Sequence, residues 1–191
     1  MREQGSAHQR PPAPFPTLPA KTREMNQPNT AKPQPDTLVL GLGNPLLRDD
    51  GVGLKVVRAL QDRLQDRGDL EFGEDYWGGL RLMERMIGFK RAIIVDAIQT
   101  GAPPGTLHML RPGDLSTQRS ASAHDVNLTT ALQVGRQAGA FLPQDEDILL
   151  VGIEAEDVQT FSEELSPSLQ AALPAAIRTV LTAIEERRKN P

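Results

Sequence analysis

The chain contains no cysteine. That excludes every disulfide framework, every thiolate metal site and every cysteine nucleophile. Aromatics are scarce, at 4% with one Trp and one Tyr, so a stacking surface for single-stranded nucleic acid is not expected. Basic charge is short: 21 Lys and Arg stand against 25 Asp and Glu, giving net −4 and a pI near 5.4. A polyanion-binding domain is normally basic, so no nucleic-acid partner is expected. No run of about 18 apolar residues occurs, so no membrane span is expected. What remains is 191 residues, enough for one domain with a sizeable core and short for two.

Residues 1–36 differ from the rest. They hold eight of the 16 prolines, Pro11, Pro12, Pro14, Pro16, Pro19, Pro28, Pro33 and Pro35. Gln, Asn, Thr and Ala fill the gaps. Such a segment buries too little apolar surface to offset its ordering entropy, so it reads as a disordered tail with polyproline II character. It lacks the continuous apolar stretch of a signal peptide, and the compartment expected is the cytoplasm. Met25 is a candidate alternative start. The tail is net +2, which leaves the body at net −6.

From Thr37 to about Asn190 the chain alternates strand and helix signals. Thr37–Gly41, residues 69–75, Ala92–Asp96, Thr106–Leu110 and Ile148–Ile153 read as strands. Val52, Val56, Val57, Leu60 and Leu64 mark one face of a helix running to about Arg67. Leu80, Leu82, Met83, Met86 and Ile87 predict a short helix stopped by Gly88. Residues 111–123 are polar with Pro, Gly and Ser and read as a loop, and 125–139 as a helix. Ser166–Pro167 supplies an N-cap and a proline at the first helical position of the last helix. Its stripe is Leu169, Leu173, Ile177, Val180, Leu181 and Ile184. The alternation predicts one α/β domain over 37–188, a three-layer αβα sandwich on a twisted, mostly parallel, mixed sheet.

In such sheets ligands collect beyond the carboxyl ends of the strands. Three polar clusters fall there. Gly41-Leu42-Gly43-Asn44-Pro45 through Asp49-Asp50-Gly51-Val52-Gly53 follows the first strand. Asp96 closes the strand Ile93-Ile94-Val95. Ser122-Ala123-His124-Asp125 enters a helix. The glycines do not make a dinucleotide fingerprint, because the third glycine of G-x-G-x-x-G would fall on Leu46. There is no G-K-S/T phosphate loop, no H-E-x-x-H and no G-x-S-x-G. A tight strand exit is the plain reading of Gly41 and Gly43. Carboxylates at a helix start also serve as caps, so of Asp49 and Asp50 one reads as a cap and the other as a ligand. His8 lies in the tail and His108 inside a strand, a structural position. Two carboxylates and one imidazole from three strand-end loops form a ligand set suited to zinc, nickel, iron or manganese.

At these residues the chain resembles the hydrogenase maturation proteases. The resemblance runs from about Thr37 to Ile184. It rests on Leu40-Gly41-Leu42-Gly43-Asn44 through Gly53, Ile94-Val95-Asp96-Ala97, Pro104-Gly105-Thr106, Ser122-Ala123-His124, Val151-Gly152-Ile153 and Leu165-Ser166-Pro167. It implies a twisted mixed sheet between helix layers. It also implies an endopeptidase that removes a C-terminal extension from a nickel–iron hydrogenase large-subunit precursor once nickel is inserted. By motif the family's metal-contacting residues fall on Asp50, Asp96 and His124, which are thereby the implied catalytic and metal-recognising residues. The nickel would be presented by the substrate rather than held at rest, and the protein would act as a monomer.

Two departures stand out. Members often have Glu where this chain has Asp50, and an Asp-x-Gly-Thr-x-Gly stretch where it has Asp75-Tyr76-Trp77-Gly78-Gly79. Tyr76 and Trp77 read either as a substrate-docking surface or as a cover for the core. Two rivals remain. A peptidyl-tRNA hydrolase also opens with Gly-Leu-Gly-Asn-Pro but needs a His-Asn stretch soon after it, and here no His follows until His108. A non-catalytic nickel-binding assembly protein would keep the ligands and cut nothing.

Overall fold

The computed structural model describes residues 35–76, 78–115 and 128–186. Residues 1–34 with Met25, Trp77, the segment 116–127 with His124, and 187–191 lie outside the described residues. The fold belongs to the part of the chain from Lys32 onward.

Among the described residues five strands and five α-helices build it: β1 Thr37–Leu42, α1 Val52–Arg63, β2 Leu70–Asp75, α2 Gly79–Arg85, β3 Arg91–Ile98, β4 Leu107–Leu110, α3 Pro112–Leu115, α4 Leu128–Gln137, β5 Ile148–Glu154 and α5 Pro167–Glu186. The sheet order is β2-β1-β3-β5-β4. Every pairing is parallel except that of β4 with β5. Residues 99–106, between β3 and β4, carry no helix. A parallel crossover needs a dozen or more residues, so β4 turns back and closes the edge antiparallel.

Alternate residues of each strand feed two cores. Val39, Ile93, Val95, Val151 and Ile153 pack under α1 and α5 with Val52, Val56, Leu60, Leu169, Ile177 and Val180. Leu38, Leu40, Leu42, Ile94 and Leu150 pack under α2 and α4 with Leu82, Met83, Met86, Leu128 and Leu132. Each fully buried Leu or Ile contributes about 1.5–3 kcal/mol, so both faces are heavily stabilised. Strands covered on both faces read as continuous apolar runs, which is why β1, β3 and β5 were prominent in the sequence. The three-layer αβα sandwich with a mixed sheet is the architecture observed.

Element ends depart from expectation where polar side chains intervene. Helix α1 stops at Arg63 rather than Arg67. Arg67 is drawn away, donating to both Asp69 oxygens and to Glu185 Oε1 at 2.7 Å. Strand β3 runs two residues beyond Asp96, to Ile98, because Asp96 to Ile98 stay in register with Gly152 to Glu154 of β5. Within the expected loop 111–123, the four-residue helix α3 begins at Pro112, and Asp114 Oδ2 accepts the Arg111 N–H at 2.7 Å. At α5 the cap is as expected, with Pro167 first and the Leu169 N–H donating to Ser166 Oγ at 3.4 Å.

Helix α1 begins directly over the gap between β1 and β3. A Cβ on Gly53 would collide with the Val95 carbonyl oxygen of β3 and lie 2.6 Å from that of Leu42 in β1. Only glycine permits this approach. Gly53→Ala is expected to cost about 2–4 kcal/mol by forcing the helix off the sheet, lowering Tm by roughly 5–15 °C in a thermal melt. An unchanged Tm would show that the contact is soft.

Candidate active site

The sheet order places a switch point between β1 and β3. From β1 the chain crosses outward to β2, and from β2 it returns to β3 on the other side of β1. Loops leaving β1 and β3 therefore part in opposite directions and leave a crevice at the carboxyl ends, the place where open α/β sheets bind ligands. Gly41 of β1 pairs with Val95 of β3. Asp96 follows Val95, and Asp50 lies two residues before α1, whose first turn covers both strands. The two acids thus follow the two strands that part at this switch point.

Asp50 is held by its own loop. The Asn44 N–H donates to its Oδ2 at 2.6 Å, and its Oδ1 makes no hydrogen bond with the described residues. Gly43 has φ +127°, and a Cβ there would overlap the Asp50 carbonyl oxygen. The strand-exit reading of the glycines and the ligand reading of Asp50 are therefore compatible. The close turn at Gly43 is what folds Asp50 back over β1.

Asp96 is buried, at 5% exposure. Its neighbours Ala92 and Ile94 belong to the α2–α4 core, so strand alternation puts Asp96 on that face. Helix α4 follows the segment that contains His124, on the same side of the sheet. His124 itself lies outside the described residues. Among the described residues no three of His, Cys, Asp and Glu are close enough to hold a metal ion.

Asp49 is fully buried and does a different job from its neighbour. Its Oδ2 accepts the N–H groups of Glu156 at 3.1 Å and Asp157 at 3.0 Å, and its Oδ1 accepts the Ser166 N–H at 2.7 Å. Its own N–H donates to the Asp157 carbonyl at 3.0 Å. The expected cap is thus a clamp between loops. The N-cap of α1 is Gly51, with no side-chain hydrogen bond, and Asp49 ties the β1–α1 loop to the β5–α5 loop. Asp49→Ala would leave one buried and two half-buried N–H groups without an acceptor. It is expected to cost about 3 kcal/mol or more, read as a lowered urea midpoint with an unchanged slope.

Asp157, at the same junction, accepts the N–H groups of Gln159 and Thr160 at 3.0 Å. The Thr160 hydroxyl and these N–H groups, with Arg48 nearby, hold its carboxyl down at about 2. A depressed carboxyl stabilises the fold fully above its ordinary 3.8, and that contribution is lost as pH falls through about 2. Carboxyl-carbon NMR titration is expected to give a midpoint near 2. A midpoint at 3.8 would show that the turn does not hold the charge.

Two further buried acids have local partners. Asp75 accepts the Tyr76 N–H at 2.8 Å and sits 3.4 Å from Arg81 and 3.9 Å from Arg85. Glu154 accepts the N–H groups of Thr100 and Gly101 and the Thr100 hydroxyl at 2.7–2.8 Å, with His108 Nε2 at 3.3 Å. It anchors the β3–β4 loop, and His108 is structural as expected. Sequence reasoning missed Glu154, although the same signal that marked Asp96, an acid closing an apolar strand, is present in Ile153-Glu154. Tyr76 is 51% exposed, so it does not cover the core.

A family model described as hydrogenase maturation protease matches residues 54–183. The chain belongs to the hydrogenase maturation protease family. It is 31% identical over 152 residues to the Hydrogenase 2 maturation protease of Escherichia coli K12, covering 78% of this chain and 90% of that one. It is 28% identical over 156 residues to the hydrogenase expression/formation protein HoxM of Azotobacter vinelandii, covering 80% and 74%. Among solved structures it resembles the hydrogenase maturating endopeptidase HybD from E. coli, at TM-score 0.64 and 30% identity over 78% of this chain and 92% of that one. The maturation protease HybD from Thermococcus kodakarensis follows at TM-score 0.58 and 26% identity, with 77% and 97% covered. The protease is accordingly a peptide-bond hydrolase on an α/β sandwich. No helix among its described residues is long and apolar enough to cross a membrane.

Proposed function

We propose that the protease removes a C-terminal extension from a nickel–iron hydrogenase large-subunit precursor, and that Asp50, Asp96 and His124 recognise nickel carried by that substrate. The observation that supports this reading is the switch point between β1 and β3, with Asp50 on the glycine-tightened loop after one strand and Asp96 near the end of the other. Carboxylate and imidazole donors suit a divalent first-row ion. Three such donors leave coordination positions for ligands the substrate brings, so nickel held by the precursor's cysteines can bridge the two proteins. Its arrival then places the scissile bond at the crevice mouth, and positioning supplies much of the rate.

The roles of the chain's own residues follow. The Oδ2 of Asp50 is occupied by the Asn44 N–H, and its Oδ1, unbonded by the described residues, is the oxygen left to meet the ion. Asp50 is one methylene shorter than the Glu common in the family, and its loop sets how far it reaches. Asp96 is fixed by the backbone of β3 and largely shielded from water, so its charge is weakly screened. A water hydrolyses the peptide bond, because the chain has no cysteine and shows no G-x-S-x-G elbow. Nickel bound on the substrate can polarise the carbonyl or that water. The protease works in the cytoplasm, as a monomer in transient complex with its precursor.

Asp96→Ala and His124→Ala are each expected to slow processing of nickel-loaded precursor at least about 100-fold, the scale at which one catalytic group is felt. Circular dichroism and thermal melting check that the variants fold. Cleavage at the wild-type rate by both folded variants would overturn the assignment.

A further inference from the structure

The β5–α5 loop carries a feature that the chemistry of the crevice does not use. Phe161 is 82% exposed and Leu46 52%. A single exposed apolar residue is ordinary, so what sets this place apart is that Phe161 and Leu46 lie on paired segments with an open backbone edge beside them. The two residues lie on neighbouring segments. Leu47 and Phe161 form an isolated antiparallel bridge. The Ser162 N–H donates to the Leu46 carbonyl at 3.0 Å and the Arg48 N–H to the Thr160 carbonyl at 3.1 Å.

That pattern is the one in which the bridged residues do not bond each other. The N–H and C=O of Phe161 therefore turn to the outer edge of this short ribbon. Neither makes a hydrogen bond with the described residues. An open strand edge with an exposed side chain beside it is a template for adding an extended peptide.

The β5–α5 side of the ribbon is acidic, and the one cation on the facing segment, Arg48, lies 3.9 Å from Asp157. Residues 155–166 contain Glu156, Asp157, Glu163 and Glu164 and no Lys or Arg. Glu156, Glu163 and Glu164 are exposed. The ribbon is continuous with the crevice: Leu46 and Arg48 share the β1–α1 loop with Asp50, and Asp49 clamps both loops at their base.

We infer that the Thr160–Ser162 edge docks an extended, basic and apolar segment of the precursor. Phe161 and Leu46 receive an apolar side chain, the Phe161 backbone pairs with the segment, and Glu163 and Glu164 face its Lys or Arg residues. The inference rests on the proposed function and names how that substrate is held. Docking here supplies binding energy remote from the scissile bond, and the crevice inspects the metal.

The test uses the full chain and an intact nickel-loaded large-subunit precursor. Phe161→Ala is expected to raise Kd and KM about tenfold or more, with the loss falling on KM rather than kcat. The doubly reversed Glu163→Lys, Glu164→Lys variant is expected to weaken binding and flatten its salt dependence. It decides the matter if Phe161→Ala does not fold. Wild-type Kd and KM in both variants would overturn the docking surface, while processing by the wild type would leave the proposed function standing. A wild type that neither binds nor cleaves its precursor overturns the functional reading itself. Sedimentation gives the remaining outcome. A dimer dissociated by Phe161→Ala, with precursor binding unchanged, would assign the edge to a second copy of the chain and overturn the proposal.

Discussion

The carboxylate of Asp49 holds together the part of the molecule where function resides. Fully buried, it accepts three backbone N–H groups from a loop more than 100 residues on in the sequence, two at the start of the β5–α5 loop and one at its end. Hydrogen bonds to an ionised acceptor are roughly twice as strong as neutral ones, and three of them converge here. The β1–α1 loop thereby becomes a rigid shelf between sheet and helix. Asp50 stands on that shelf, and the Phe161 ribbon hangs from its other end. Loss of the clamp would free both loops at once.

The glycines make the shelf possible. Gly53 brings α1 against the carbonyls of Leu42 and Val95, and Gly43 folds the chain back against Asp50. A side chain at either position would push the helix or the loop outward and open the crevice between β1 and β3. Adjacent acids in one sequence block thus divide their work. Asp49 faces the protein and is satisfied by it. Asp50 keeps one oxygen unbonded by the described residues, the oxygen that the proposed ion recognition would use.

Much of this was legible in the sequence, for identifiable reasons. β1, β3 and β5 are covered on both faces, so their apolar runs are unbroken and unmistakable. The stripe of α1 and the Ser166–Pro167 start of α5 are local signals and were readable as such. Asp96 was marked by its place after an apolar run, and the Asp49–Asp50 pair by its place before a helix. What escaped depends on partners distant in sequence. Arg67, just past the end of α1, reaches Glu185 118 residues away, and pairing with β5 carries β3 past Asp96. The Asp49 clamp spans 107–117 residues, beyond any local cap rule. Glu154 was passed over because its β3–β4 loop partners are visible only once strands pair.

The central claim is that nickel on the substrate is the element the crevice recognises. Intact-mass spectrometry of a large-subunit precursor, nickel-loaded and nickel-free, before and after incubation with the wild-type protease, tests it most directly. The account predicts one C-terminal mass loss from the nickel-loaded precursor and none from the nickel-free one. Equal cleavage of both would contradict it, and would assign recognition to the polypeptide alone.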